Sequence, residues 1–364
     1  MNLKEIISVL EKTAPPVLQE SYDNSGLLIG DADEPVRKAL ITLDVTDHVI
    51  DEAVSSGCDL IIAHHPLIFK GLKKLTGSSQ TERLVVRLIR ENIAVYAMHT
   101  NLDNVDSGVN YKLATVLGLR HLQILSAGAG SLKKLVTFCP VDHSEKVREA
   151  MFLAGAGHIG DYDSCSYNLT GEGTFRGLEG TDPFVGQKGE LHVEPETRIE
   201  TIVPDYRLDA VLSSMMQAHP YEEVAYDIYP LDNTDPKTGA GMMGELESPV
   251  SALEFLKQVK KTLSSKALKY SGPLDGKIKK VAVCGGSGAF LIGTAFRSGA
   301  DIFVTGDVKY HDYFEFAGKM IVADAGHYET EQFTKALIHD ILKKKFPTFA
   351  LQISEVNTNP VKVL

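Results

Sequence analysis

Short, fully apolar runs alternate with helix-period segments at both ends of this chain. In the first part, Ala39–Leu43, Asp59–Ala63 and Ile93–Met98 read as strands. Asp47–Ser56, Thr81–Glu91 and Val109–Leu117 read as the helices between and after them. Strands without polar alternation are covered on both faces, as in a parallel sheet flanked by helices. The last part repeats the rhythm. Lys280–Val283, Asp301–Thr305 and Met320–Ala323 are strands, Phe290–Arg297 is a helix, and Glu329–Lys345 is one long helix ending in a lysine run that suits a helix C-terminus. The opening segment, Met1–Pro16, reads as an amphipathic helix stopped by Pro15-Pro16; it lacks the continuous apolar stretch of a signal peptide.

The two outer parts also resemble each other. Ser56-Gly57-Cys58-Asp59-Leu60-Ile61-Ile62-Ala63 aligns with Ser298-Gly299-Ala300-Asp301-Ile302-Phe303-Val304-Thr305. In both, a helix ends at glycine and an acidic residue opens a strand. The following strand leads to His99 in one part and His327 in the other. This order points to an internal duplication. The middle differs. Leu135–Phe138, Asp163–Thr170, Gly173–Leu178, Arg198–Val203 and Val224–Tyr229 are strands, while Ser144–Leu153 and Arg207–Gln217 are helices. That is the β-α-β-β-α-β order of a ferredoxin-like unit with one extra strand candidate. The expected fold class is α/β: two related halves form one metal-binding domain, interrupted by a ferredoxin-like α+β insert. The halves span residues 1–131 and 232–364, and the insert spans 132–231.

Bulk properties narrow the function. A chain of 364 residues has room for two or three structural units and needs no disulfide staples. The net charge of −11 disfavours a nucleic-acid backbone as the main partner and is compatible with cation binding. Cys58, Cys139, Cys165 and Cys284 lie far apart, so they read as small buried residues of a reducing compartment rather than as a thiolate metal site. No run of 18 apolar residues occurs, so no membrane span is expected and a cytoplasmic location is.

Three stretches carry chemistry. Ala63-His64-His65-Pro66 follows an apolar strand, and ligands in open α/β sheets bind beyond strand carboxyl ends. The pair reads equally as a surface loop. In His99-Thr100-Asn101-Leu102-Asp103, Asp103 offers a carboxylate; His99 is either a ligand or a residue holding Asp103. His327 and Glu331 stand four apart at the start of the last helix, on one face, where one ion can take both; alone, the spacing is also that of a surface pair. Together, His64, His65, Asp103, His327 and Glu331 offer three nitrogens and two carboxylates. Two ions about 3.5–4 Å apart could share such a set.

Further candidates flank these five. Asp307 and His311, in Gly306-Asp307-Val308-Lys309-Tyr310-His311-Asp312, are candidates for acid/base work or for supporting a metal ligand from behind, and Lys309 for meeting a substrate anion; helix capping by Asp307 and surface packing are the plain alternative. Gly285, Gly286 and Gly288, between a strand and a helix, offer backbone amides to a phosphate, although the stretch lacks a P-loop lysine and serves equally as a tight turn. Tyr22–Leu27 is a loop over the site or a plain turn. His219-Pro220-Tyr221-Glu222-Glu223 is a second metal candidate, or simply the approach to an insert strand.

These motifs resemble those of the GTP cyclohydrolase 1 type 2 homolog family, also called NIF-three-like. Asp23–Gly30, Thr42–Thr46, Ala63–Phe69, His99–Asp103, Cys284–Gly288, Gly306–Asp312 and Gly326–Glu331 carry the resemblance, and Tyr22 stands where many relatives have tryptophan. The resemblance implies a dinuclear centre on His64, His65, Asp103, His327 and Glu331, with Glu331 or Asp103 bridging. It also implies a homohexamer built as a ring of trimers, and an insert similar to the PII signalling proteins. Composition and resemblance together lead to the expectation of two divalent ions per subunit (Zn, Mn or Fe) and a metal-dependent hydrolase acting on a small anionic or nucleotide-like substrate. Two competing expectations are a non-catalytic regulatory assembly whose insert senses a small molecule or binds a partner, and a metal-delivery protein.

Overall fold

The computed structural model describes residues 1–128 and 131–364. The chain divides into two compact units, residues 1–127 with 237–364, and residues 128–236. The strands, in chain order, are β1 (Gly26–Ile29), β2 (Lys38–Thr42), β3 (Leu60–Ala63), β4 (Ala94–Ala97), β5 (Arg120–Ala127), β6 (Leu132–Pro140), β7 (Ser166–Arg176), β8 (Leu191–Pro204), β9 (Tyr226–Leu231), β10 (Gly239–Ser251), β11 (Lys269–Ser271), β12 (Lys277–Ser287), β13 (Ile302–Gly306), β14 (Ile321–Asp324) and β15 (Ala350–Ile353).

The larger unit contains two sheets, ordered β1-β4-β3-β2-β15 and β11-β14-β13-β12-β10-β5. In the first, β2, β3 and β4 run parallel, with Ala39 opposite Leu60 and Leu60 opposite Ala94. Both faces are buried, which is why Ala39–Ile41, Leu60–Ala63 and Ala94–Ala97 are apolar without alternation. Ile41, Ile62 and Tyr96 pack on one side with Leu3, Ile6 and Leu10 of the N-terminal helix; Leu40, Ile61 and Val95 pack on the other with Val49, Ile50 and Leu88. The second sheet repeats the arrangement. β12, β13 and β14 are parallel, with Val283 and Val304 facing one core and Ala282, Phe303 and Val322 the other.

Each sheet borrows a strand from the opposite end of the chain. β15 pairs in parallel with β2, and β5 pairs antiparallel with β10. Neither strand stands out in the sequence, because each lies at a sheet edge and is only partly buried, so its pattern is mixed. The segment from Tyr22 to Leu27, read as a loop or turn, runs into β1, which pairs antiparallel with β4. The expected single helix Glu329–Lys345 is two, His327–Glu331 and Thr334–Lys345. Near the break, the Thr330 hydroxyl bonds back to the carbonyls of Gly326 and His327 at 2.9 and 2.8 Å, a contact that bends helices.

The smaller unit is one antiparallel sheet, ordered β7-β8-β6-β9, backed by helices Ser144–Leu153 and Leu208–Ala218. This is the split β-α-β arrangement of a ferredoxin-like fold. The two strand candidates Asp163–Thr170 and Gly173–Leu178 are one strand, β7. It keeps an unbroken ladder with β8 from Ser166 to Arg176, through Gly171 and Gly173. No described helix is long and apolar enough to cross a membrane.

Candidate metal centre

The ligand candidates come from equivalent places in the two sheets of the larger unit. His64 and His65 leave the end of β3, and Asp103 closes the short helix Thr100–Asp103 after β4. His327 and Glu331 occupy one helical turn after β14. The fold brings all five together. Glu331 Oε2 lies 3.0 Å from His65 Nε2 and 3.0 Å from His327 Nε2, and Oε1 lies 3.8 Å from His64 Nε2. His64 Nε2 is also 3.8 Å from Asp103 Oδ1, and the Nε2 atoms of His65 and His327 approach to 3.4 Å. His64, His65 and Glu331 present donor atoms within 4.8 Å of one another.

Each imidazole is held by the nitrogen that faces away from this cluster. His64 Nδ1 bonds the Met98 carbonyl at 2.7 Å, His65 Nδ1 bonds Asp44 Oδ1 at 2.8 Å, and His327 Nδ1 bonds Asp307 Oδ2 at 2.7 Å. Such contacts fix the ring and leave Nε2 as the donor, the arrangement of metal-binding histidines. The holding groups are held in turn: Thr358 donates to Asp44, and the Ser287 hydroxyl donates to Asp307 at 2.7 Å. His99 follows the same pattern, with Nδ1 on Asp23 Oδ1 at 2.7 Å and its ring 5.4 Å from those of His64 and His65. Asp44 and Thr358 escaped sequence reasoning. Asp44 sits in a motif with no visible partner, and Thr358 lies in a tail without periodicity.

Electrostatics show what the cluster lacks. Burial would lower His65, but Asp44 and Glu331 outweigh it and push it up to about 10. Burial opposes His327 as well, and Glu331 with Asp307 raises it to about 9. Burial raises Glu331, yet the surrounding imidazoles hold it well below the usual carboxylate range. Asp103 is driven up, first by burial and then by the Glu331 charge; His64 is driven down by burial. The buried carboxylates thus favour positive charge at this point, whether on the imidazoles or from a cation. His64 Nε2 and Glu331 Oε2 are buried with no well-formed hydrogen bond among the described residues. Orphaned donors of this type, nitrogen and carboxylate oxygen together, fit a divalent cation of the zinc, manganese or iron kind.

The glycines serve this cluster differently from expectation. The amides of Gly285, Gly286 and Gly288 already donate to Asn110 Oδ1, Thr330 Oγ1 and Thr305 Oγ1, at 2.9, 3.0 and 3.0 Å, so they do not form a phosphate cradle. Gly286 instead makes room. Its φ is +61°, and a Cβ there would stand 2.2 Å from Glu331 Oε1. The neighbouring Cys284 thiol is pushed well above its ordinary range by burial and by Asp103 and Glu331, which disfavours the thiolate form. Asp307 is brought in, as the partner of His327. Lys309 and His311 do not line the cavity that opens onto the cluster. His311 packs its ring on Tyr310 and Phe314 instead. That cavity, of about 1230 Å³, is bordered by Tyr22, Phe69, His99 and Phe290 together with Lys266 and Lys362.

A profile of the Duf34/NIF3 (NGG1p interacting factor 3) family matches residues 1–360. The chain is 40% identical over 364 residues to a protein of Halalkalibacterium halodurans named GTP cyclohydrolase 1 type 2 homolog, covering 99% of this chain and 98% of that one. It is 40% identical over 370 residues to the Bacillus subtilis protein of the same name, covering 100% and 99%. A crystal structure of a Bacillus cereus protein related to NIF3 superposes with a TM-score of 0.85 at 40% identity, covering 100% of this chain and 99% of that one. With its full length matched and its strand-end histidines and carboxylates gathered in one place, the chain belongs to the Duf34/NIF3 family.

Proposed function

We propose that this protein holds two divalent metal ions on His64, His65, Asp103, His327 and Glu331 and hydrolyses a small anionic, nucleotide-like substrate. The observation that carries the reading is His64 Nε2, buried with no partner among the described residues, beside a Glu331 carboxylate on which His65 Nε2 and His327 Nε2 converge at 3.0 Å, with the other nitrogen of each ring tied back. The names of the Halalkalibacterium and Bacillus relatives, GTP cyclohydrolase 1 type 2 homolog, support the substrate class. When bound, divalent ions supply a Lewis acid and bring the pKa of water toward neutrality.

The chain's own residues do the rest. Asp44, Asp307 and the Met98 carbonyl keep the imidazoles oriented. Among the carboxylates that border the cavity, Lys266 and Lys362 offer ammonium groups to an anionic substrate, a role that Lys309, outside the cavity, does not fill. Tyr22 and Phe69, stacked with centroids 6.4 Å apart, offer a flat wall to a ring. His99, braced by Asp23, is the imidazole placed to move a proton through its Nε2, rather than His311. The homohexamer implied by resemblance belongs to the same reading, and light scattering on the purified chain tests it.

Elemental analysis of the native protein, with turnover of GTP and a panel of phosphoesters, tests the rest. Two ions per chain and turnover that disappears in Glu331→Ala are expected. Fewer than about one ion per chain, where a dinuclear site calls for two, overturns the reading.

A further inference from the structure

The smaller unit has a cavity of its own, of about 590 Å³, within the usual range for small-molecule sites. Its walls are aromatic: Phe138, Phe175, Phe184 and Tyr221 all face it. The Tyr221 ring lies 6.2 Å from Phe175 and 6.3 Å from Phe184, at interplanar angles of 57° and 53°. Rings set at such angles surround a guest rather than stack on one another.

The segment His219-Pro220-Tyr221-Glu222-Glu223 builds this wall. It joins the helix Leu208–Ala218 to β9 and is pinned by His219. The imidazole bonds the Phe138 carbonyl through Nε2 at 2.9 Å and accepts the Tyr221 amide on Nδ1 at 3.1 Å. With both nitrogens used inside the fold, His219 is no metal ligand. Its job is to hold Tyr221 in place.

One carboxylate reaches into the aromatic wall. Glu196, on β8, accepts the Tyr221 hydroxyl on Oε1 at 2.9 Å. Its other oxygen rests against the bare backbone of Gly173, where a Cβ would stand 2.1 Å from Oε2. A side chain at position 173 would drive the carboxylate away, so glycine there keeps it in the cavity wall. The surrounding charge is negative. Glu172, Glu196, Glu222 and Glu223 line the cavity against Arg176 and Arg198. Of those two cations, Arg198 is committed to Glu200, 2.8 Å away, and to the face of Phe138, while Arg176 is exposed.

We propose that this cavity is a second ligand site, distinct from the metal centre, for an organic cation: an apolar or aromatic body between the rings, with an ammonium or guanidinium end on Glu196. Aromatic faces attract such a cation electrostatically, and Glu196 supplies the charge-assisted hydrogen bond that fixes its orientation.

Tryptamine tests this on the full-length chain. The chain contains no tryptophan, so indole fluorescence anisotropy reports the probe without background. Tryptamine binds saturably, and about tenfold more tightly than its neutral analogue tryptophol, the size of one charge-assisted contact. Indole-3-propionate, with the charge reversed, shows no saturable binding of its own in the same measurement. Glu196→Gln, which keeps the shape, erases the preference for tryptamine over tryptophol. Phe184→Ala, at the exposed end of the wall, weakens both probes. Glu331→Ala, in the metal centre, changes neither, so failure of the metal reading and failure of this one are separable. Equal binding of tryptamine and tryptophol overturns the proposal, as does a preference that survives Glu196→Gln, or no saturable binding by any probe.

Discussion

His64 and His219 are both buried histidines with a lowered pKa, yet they do opposite work. Burial dominates both shifts. His219 has each ring nitrogen in a hydrogen bond to its own unit's backbone. It needs nothing from outside and shapes a loop. His64 bonds the Met98 carbonyl through Nδ1 and leaves Nε2 buried and unmatched, 3.8 Å from Glu331 and from Asp103. The difference separates a structural histidine from a ligand. Burial does not distinguish them; the accounting of the second nitrogen does. His65 and His327 stand between the two: Asp44 and Asp307 occupy their Nδ1 atoms, and their Nε2 atoms converge on the one oxygen Glu331 Oε2 at 3.0 Å rather than on backbone.

The comparison is broken most directly at Glu331, the one carboxylate among the described residues that approaches His64, His65 and His327 together. Glu331→Gln keeps the volume and removes the charge. Divalent-metal affinity, measured by calorimetric titration of the stripped protein with Zn or Mn, is expected to fall by more than about 100-fold, beyond the usual cost of losing a supporting residue. An affinity within a few-fold of the parent would place the ions elsewhere. Gly286→Ala comes next. Its Cβ collides with Glu331 Oε1, and its φ of +61° disfavours any side chain. Metal content drops together with a stability loss of about 1–3 kcal/mol. Gly57→Ala, at a φ of +65° with open space around the new methyl, separates the two effects. It shares the backbone strain and is expected to keep its metal.

A smaller effect sharpens the role of the outward nitrogens. Asp44→Asn and Asp307→Asn each weaken metal binding by about 10–100-fold, because each loosens one imidazole. The loss is expected to be larger for Asp44. Its side chain is 35% exposed against 51% for Asp307, while each carboxylate has one hydroxyl brace, Thr358 on Asp44 and Ser287 on Asp307. Thr358→Val, which removes only that brace, follows Asp44→Asn in direction with a several-fold loss. Equal affinities in all three variants and the parent would show that orientation through Nδ1 is irrelevant here.

Much of this was legible in the sequence, for a physical reason. β2, β3, β4, β13 and β14 are buried on both faces, so their central residues are apolar and their ends mark where a site forms. His64-His65, His99–Asp103 and His327–Glu331 each follow one of those ends. What stayed hidden depends on contacts between distant segments. The crossover of β15 onto β2 and of β5 onto β10 joins edges that have no burial pattern of their own. The Gly285–Gly288 stretch has the composition of a phosphate loop, but its amides are satisfied by Asn110, Thr305 and Thr330, partners that only the fold reveals. His311 and Lys309 sit after the right strand, yet the segment turns them out of the cavity. The merging of two strand candidates into β7 follows from glycines that pass beside Glu196 instead of breaking the ladder.

The mildest prediction concerns the histidine that binds nothing. Burial lowers the His219 pKa below its ordinary 6.5, while its bond to the Phe138 carbonyl pulls weakly the other way. The unfolded chain therefore takes up a proton at this position before the folded chain does. Stability from a neutral His219 is complete above pH 6.5 and is lost as pH falls through the lower folded value. Because the larger unit has its own titrating groups, the readout must be local. Amide hydrogen exchange in β6 and in the helix Leu208–Ala218, corrected for its intrinsic pH dependence, should quicken between pH 7 and 5.5. His219→Gln, which does not titrate, should remove that slope while leaving the slopes around the metal centre unchanged. If the slope persists in the variant, some other group destabilises this unit in acid. His219 would then hold Tyr221 in place without sensing pH.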